Sequence, residues 1–548
     1  MERPKLRERM LYLLNPKAGE KAYSDRMNRE KGKVADKEVR NAGTGYGNHG
    51  ASTTLNSMVG WIVGGGAAED DLDLHGSTLR TRARDLYAGG GLARSGVATL
   101  TTNVVGWGIQ PKPKIDYEVL GMSEEAAEEW ERNTLREFKL WANTQMCDAE
   151  HSKNFWTMQQ LAFRNELMSG DVFVLFGMKP NARNPYQTVI RVLEADRVCT
   201  PESSGDSESK ELDNGGRIVD GVEIDQEGEV VRYHIANRHP LLAETTKTVE
   251  WTAIDAYGGD TGMPNILHIM AHERPEQRRG IAFVSAQIEQ IKQLDRYITS
   301  ELAANVVSSM LTAFILSDED DGKAGLEDAV NDEEKVTNDE LHLELAPGAI
   351  YDLPPGKKVQ EINPLRNNAA FSDFVQTLQT VIGAGMGIPK EVLVHKYESN
   401  YTAARGALLD FWREVRVYRT AFNDSFNQPI YEQWLSEAVA LGRVEAPGFF
   451  DDPAVRQAWC GCMWMGASMG HVDPLKEVNA AEKRIQLNIS TQEQEASEYN
   501  GNDWVANVRQ RRHEITAFDD LMPDTANGTD GGVQDADEED IETDDENT

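Results

Sequence analysis

The chain has 548 residues and a mass of 61.0 kDa, enough for two to four domains with real cores. Fifty-six Lys and Arg against 91 Asp and Glu leave a formal charge of −35, which argues against a tight non-specific grip on nucleic acid or anionic membrane. Four cysteines (Cys147, Cys199, Cys460, Cys462) are too few for a disulfide framework and point to a reducing compartment. Residues 1–70 are polar, first basic and then rich in Gly, Asn and Ser ("NAGTGYGNHGASTTLNS"), the composition of a flexible arm. The opening "MERPKLRERMLYLL" lacks the long apolar core and cleavage site of a signal peptide. No apolar run approaches the ~20 residues of a membrane helix, so a soluble, intracellular product with no membrane partner is expected.

From Leu72 to Val105 the spacing of Leu79, Leu86, Ala93, Val97 and Leu100 suits helices, which "GWGIQPKP" then ends. Ser123–Asn143 predicts an amphipathic helix: Ser123 can cap it, acids crowd its first turns, and Trp130, Leu135, Phe138 and Trp141 form one side. A second helix is expected over Phe155–Ser169. Short β-type runs ("GDVFVLFGM", "TVIRVLEA", "IVDGVEID", "VVRYHI") follow as far as Ile269, separated by turns such as "DNGG" and "QEGE". "HERPEQRRG" opens a long helical pattern in which Val284, Ile288, Ile291, Leu294, Ile298, Leu302 and Val306 recur at three- and four-residue steps. An acidic block, Asp318–Glu340, carries eleven acids against Lys323 and Lys335. Prolines and short β-type runs come next, then a helix from Ala370 with Phe371, Phe374, Val375, Leu378, Val381 and Ile382 on one face. Two apolar-faced helices flanking a polar excursion suggest an antiparallel pair with a small tip. From Asp519 the chain has thirteen acids and no Lys or Arg, the composition of a disordered tail. The fold class is α+β, mostly α-helical, with antiparallel β on a helical base.

Few motifs organise chemistry. "GAGMG" at Gly383–Gly387 superficially resembles a dinucleotide fingerprint, but a helical pattern precedes it and Pro389 follows, where that fingerprint needs a strand before and a helix after. There is no G-x-x-x-x-G-K-[ST]. Cys460 and Cys462 form C-x-C without the four converging ligands of a zinc site. His234, His239, His268 and His272 are isolated in the sequence, and no H-E-x-x-H arranges the acids. The residues by themselves predict a non-catalytic assembly component with no cofactor and no metal.

Four segments, in order, carry a family likeness: "RTRARDLYAGGGLARSGVATLTTNVVGWGIQPKP" (Arg80–Pro113), "HERPEQRRGIAFVSAQIEQIKQLDRY", the glycine turn followed by "SNYTAARGALLDFW", and "AWCGCMWMGASMGHVDPLKEVNAA" (Ala458–Ala481). Together they resemble the lambda-type family of bacteriophage portal proteins. The resemblance implies a ring, usually of twelve copies, at one capsid vertex, with wing, stem, clip and crown regions around a channel for double-stranded DNA. Carried onto this chain, it implies an arm at 1–70, a wing at 71–280, a first stem helix at 281–316 and a clip with the acidic insert at 317–366. A second stem helix at 367–388, a channel loop at 389–402, a crown at 403–518 and a tail at 519–548 complete the order.

The implied partners are the terminase large subunit, major capsid and scaffolding proteins, and tail connector or adaptor proteins. The implied location is the virion, after assembly in the host cytoplasm. Lys390, His395, Lys396, Tyr397, Asn400 and Tyr401 would face DNA, with Lys390 and Lys396 toward phosphate. Gly383, Gly385, Gly387 and Pro389 would form the hinge between stem and crown. Two other classes compete: a packaging ATPase or nuclease, which needs a nucleotide loop or paired metal carboxylates, and a generic helical scaffold or adaptor, which needs no such hinge.

Overall fold

The computed structural model describes residues 66–201 (except 74), 209–240, 249–310, 314–317, 357–360, 371–397, 401–469, 474–500 and 504–521, with short pieces before residue 66. Most of the arm before residue 66, the acidic block at 318–340 and the tail beyond residue 521 lie outside the described residues. Contacts divide the chain into Met1–Ala67 and Ala68–Thr548, and the second unit holds the sheets and the long helices.

Its base is four helices: α1 (Gly76–Gly89), α2 (Gly91–Val104), α3 (Glu124–Ala142) and α4 (Phe155–Ser169). Each of the last two starts where a side chain can take a free backbone N–H: Ser123 accepts from Ala126 N and Asn154 from Thr157 N. The expected apolar face of α3 is present. Phe138 and Trp141 are fully buried, and Phe138 meets Phe155 edge-on at 5.6 Å.

Two antiparallel sheets rest on this base. In one, β2 (Asp171–Met178) runs between β3 (Thr188–Glu194) and β9 (Ile266–Met270). The other is a meander of β4 (Ser209–Glu211), β5 (Arg217–Val219), β6 (Val222–Ile224), β7 (Val230–Ala236) and β8 (Trp251–Asp255). The β5–β6 hairpin turns on Asp220 and Gly221, at φ of 43° and 83°, as a tight two-residue turn between right-twisted strands requires. Phe173, Leu193, Val222, Ile224 and Tyr233 make a small core between the sheets.

Two expectations need correction. The long helix does not run over 281–316: α5 is Ile288–Met310, entered through a tight turn at Ser285–Gln287. Phe314–Ser317 is strand β10, paired antiparallel with β11 (Lys357–Gln360). The β-branched and aromatic content of "FILS" suits a strand, and the apolar spacing that helical reading relied on stops at Val306.

Residues 403–518 are also not a region separate from 71–280. Helix α9 (Gln428–Ala440) sends Tyr431 and Trp434 into the same core as Phe138, with Trp434 and Phe138 edge-on at 5.0 Å. Strand β12 (Cys462–Met465) pairs with β1 (Gln110–Pro113), from Gln110 opposite Met465 to Pro113 opposite Cys462. A five-residue π turn, Asn423–Asn427, joins α8 (Tyr401–Phe422) to α9 and sets Asn427 Oδ1 to accept from buried Gln159 at 2.8 Å.

The histidines and cysteines also find structural places. His268 lies between the sheets, stacked on Phe173 at 4.2 Å, and His234 pairs with Glu223 at 2.8 Å. Burial pushes the Cys460 thiol up to about 12, so it stays protonated at neutral pH. Among the described residues no helix is long and apolar enough to cross a membrane.

The sheets and helices meet at a buried ionic knot. Arg279, 4% exposed, donates Nε to Asp171 Oδ2 at 2.6 Å and Nη2 to Asp171 Oδ1 at 3.3 Å. Its other protons reach the carbonyls of Val198 (2.9 Å), Asp220 (2.6 Å) and Ala195 (2.9 Å). Arg80 of α1, equally buried, pairs with Asp196 at 3.1 Å and Asp220 at 3.4 Å, and Arg84 also pairs with Asp196. Burial alone would raise the Asp171 carboxyl, but the charge of Arg279, the His268 hydrogen bond and Arg80 hold it well below the usual carboxylate range.

Asp171→Asn would leave the Arg279 charge buried and under-compensated, so it should cost about 3–5 kcal/mol in denaturant unfolding. Because the native carboxyl sits below its unfolded value, its stabilising contribution is complete above about pH 4 and is lost as pH falls toward the native value. The acid-induced fall in melting temperature should therefore be shallower in Asp171→Asn than in the parent.

Candidate functional site

The glycine stretch opens at the end of α6 (Phe371–Gly385), which lies antiparallel to α5: Tyr297 of α5 meets Phe371 at 5.6 Å and Phe374 at 4.9 Å near the start of α6. At the other end, Gly385 lies against Gln287 beside the start of α5. The chain then turns through Met386–Pro389 into the single turn α7 (Lys390–Val394), which ends at His395 in the left-handed conformation, φ 54°.

This turn is anchored. Met386, Ile388 and Leu393 are at most 3% exposed, packed with α2 in the main core. Ser95 of α2 donates its hydroxyl to the Leu393 carbonyl at 2.6 Å, and Ile388 N donates to Gly383 O at 2.9 Å.

The hinge assignment changes accordingly. Gly383 lies inside α6, and Gly385 is its last residue, directly before the turn. A Cβ on Gly383 would fall 2.6 Å from the Ile388 carbonyl oxygen, so the glycine is needed for a close backbone approach. Gly387, at φ 64°, is the residue that turns the chain, and Pro389 sits at the N-cap of α7.

The proposed loop changes too, because its first part is helix α7 rather than loop. Lys390 is half-buried and donates Nζ to Gln376 of α6 at 3.3 Å, while His395, Lys396 and Tyr397 are exposed, Tyr397 by 58%. Asn400 lies outside the described residues, and Tyr401 is the first residue of α8.

Arg419 ties the far end of α8 to the base, a role that periodicity alone does not reveal. It donates Nε to Val104 O at 3.0 Å and Nη2 to Asn103 O at 2.7 Å, which caps the end of α2. Nη2 also reaches Ala467 O at 2.8 Å, just past β12. Burial, with Arg416 nearby, lowers its guanidinium to about 10, and it remains charged at neutral pH. The likeness segments thus converge in space. Arg80, Arg84 and Arg279 share one knot, and α8 meets the end of α2 and the β12 segment at Arg419.

The two α6 glycines should respond differently to alanine. Gly383→Ala meets backbone that cannot give way and should cost about 1–3 kcal/mol. Gly385→Ala meets only the end of the Gln287 side chain, which can swing aside, and should be near neutral. Thermal unfolding of the two variants checks this, and equal losses would contradict the packing described.

A family model described as phage portal protein, lambda family, matches residues 54–419. The chain is similar to Portal protein B of Escherichia phage lambda, 24% identical over 443 residues, covering 77% of this chain and 80% of that one. It is also similar to the Portal protein of Escherichia phage N15, 24% identical over 482 residues, covering 84% and 88%. Among solved structures it resembles a chain from the neck of a native gene transfer agent particle computed with C12 symmetry, 12% identical, TM-score 0.37, covering 72% of this chain and 94% of that one. The family match spans more than half of the chain and includes both the ionic knot and the junction, so this protein belongs to the lambda family of phage portal proteins.

Proposed function

We propose that this portal protein works as one subunit of a closed ring of twelve, a conduit through which double-stranded DNA enters the capsid and later leaves it, without catalysis of its own. The observation that carries the ring is the apolar stripe of α5. Its first part is buried within the subunit, with Ile291 and Leu294 at most 2% exposed. The same stripe then continues outward through Ile298 (40% exposed), Leu302 (63%) and Val306 (44%). Phe374 and Val381 of α6 are likewise half exposed. An apolar row that continues past its own core calls for a neighbouring surface, and a neighbour presenting a different face builds a ring when the rotation between copies closes.

In this reading α5 and α6 are the paired stem helices, and the β10–β11 ribbon belongs to the clip, where the terminase large subunit docks. The sheets and α1–α4 form the wing, and the C-terminal helices from α8 lead toward the crown. Major capsid and scaffolding proteins meet the ring during assembly, and tail connector proteins meet it afterwards. The segment facing DNA narrows to His395, Lys396 and Tyr397 with the residues up to Tyr401, held on the anchored turn below. A channel in a chain of charge −35 repels the duplex from its sides, so a few cations at one level can contact phosphate without gripping it.

Native mass measurement or negative-stain imaging should find rings of twelve times 61.0 kDa with a central hole. A stable monomer under all conditions would defeat the proposal. Lys390→Ala combined with Lys396→Ala should leave rings intact but alter DNA packaging or retention. Lys396→Ala alone should change packaging or retention in the same direction. Packaging and retention indistinguishable from the parent would remove this segment from the channel.

A further inference from the structure

A cavity of about 550 Å³ lies between α8 and the two helices that follow β12, α10 (Pro474–Gln486) and α11 (Gln492–Asn500). Small residues leave the space: Gly466, Ala467 and Ser468 after β12, and Ala480 and Ala481 on α10. Its charge runs against that of the chain. Six cations line it against three carboxylates, in a protein with 56 Lys and Arg against 91 Asp and Glu. Four of the six are the α8 arginines Arg405, Arg413, Arg416 and Arg419; α10 supplies Lys476 and Arg484.

The three carboxylates are already engaged. Glu477 pairs with Arg405 at 3.2 Å, Glu495 accepts two bonds from Arg484, and Glu498 stands 4.0 Å from Arg416. Arg419 has no such partner. Among the described residues no acid pairs with it, and its Nε and Nη2 are spent on backbone carbonyls, so Nη1 is neither bonded nor enclosed. The guanidinium is held in place all the same. A Cβ on Gly466 would fall 2.5 Å from Nε, and the Trp412 ring lies 5.6 Å away. Burial and Arg416 both lower this guanidinium, and no acid opposes them. A half-buried, fixed cation without a counter-charge, on the wall of a cation-rich cavity, calls for an anion.

We propose that this cavity binds a phosphate group, held by Arg419 together with Arg416 and Arg413, about one and two turns before it on α8. Planar guanidinium forks match phosphate oxygens. Arg413 and Arg416 are 80% and 69% exposed, so an anion reaches them from solvent. A phosphate of charge near −2 offsets most of the surplus of three positive charges, six less three. Bound there, it would join α8 to two helices that add no residue to the main apolar core. Free phosphate and a nucleic-acid backbone present the same group, and the test separates them. The site lies apart from the segment at 395–401, and its failure would leave the ring proposal standing.

Calorimetric titration of the full-length protein with inorganic phosphate, at constant ionic strength, should give saturable binding that acetate does not displace. Arg413→Gln combined with Arg416→Gln should weaken it about tenfold or more, and exposed Arg509→Gln should leave it unchanged. Arg419→Lys keeps the charge but loses the fork and should weaken it too; since Arg419 also caps α2, the exposed pair is the variant that spares the fold. Phosphate should raise the melting temperature of the parent more than that of the paired variant. A labelled DNA duplex whose binding falls in the paired variant names a nucleic-acid backbone as the source. Duplex binding that ignores the pair, while phosphate binding depends on it, names the free anion. No saturable phosphate binding, an unchanged titration in the paired variant, an equal loss in Arg509→Gln, or equal displacement by acetate would overturn the assignment.

Discussion

The arrangement of this subunit depends on a guanidinium that water does not reach. Arg279 spends its donors on Asp171 and on three backbone carbonyls from two different turns. No single partner explains its place. The carbonyls belong to the 195–198 segment and to the β5–β6 hairpin, so the arginine fixes how the second sheet sits on the first. Gly280 follows because nothing larger fits: a Cβ on Gly280 would run into the Gly170 carbonyl oxygen, so the two backbones touch. The approach to α5 therefore leaves from a fixed point. Replacing such a knot by apolar groups can be neutral in stability, so its value here lies in fixing geometry.

How much of this could be read from the sequence follows the range of each signal. Helix α3 was legible because its cap, first-turn acids and aromatic face lie within twenty residues. The antiparallel α5–α6 pair was legible as two apolar periods around a polar excursion. The β1–β12 pair was not, because Gln110 and Met465 are far apart in the chain and each strand is four residues long. Nor could sequence divide wing from crown, since Trp434 and Phe138 share a core only after the chain has folded back.

The junction shows a different failure. Glycine was read as freedom of the backbone, and that reading fits Gly387. At Gly383 the structure uses the smallness of the residue instead, to bring α6 against the Ile388 carbonyl. Both needs select the same letter, and the helix preceding them is what separates the two. A buried arginine is a related case. The "RRG" turn was visible, but arginine is so seldom fully buried that sequence alone favours a solvated one. Arg419 is half-buried on a helix where Arg413 and Arg416 are exposed, and sequence does not tell it from them.

Rigid base and exposed tip together give the portal reading its physical content. A contact that resists sliding DNA transmits force to whatever holds it. Here His395, Lys396 and Tyr397 stand directly beyond Leu393 and Ile388, which are each 1% exposed, and the Leu393 carbonyl is held by Ser95 of α2. Under the proposed function, load on the tip passes into the main core and, through α6, into the helix pair, rather than being lost in a slack loop. A hinge of three free glycines would have absorbed that load. One turning glycine, with its neighbours packed on both sides, passes it on.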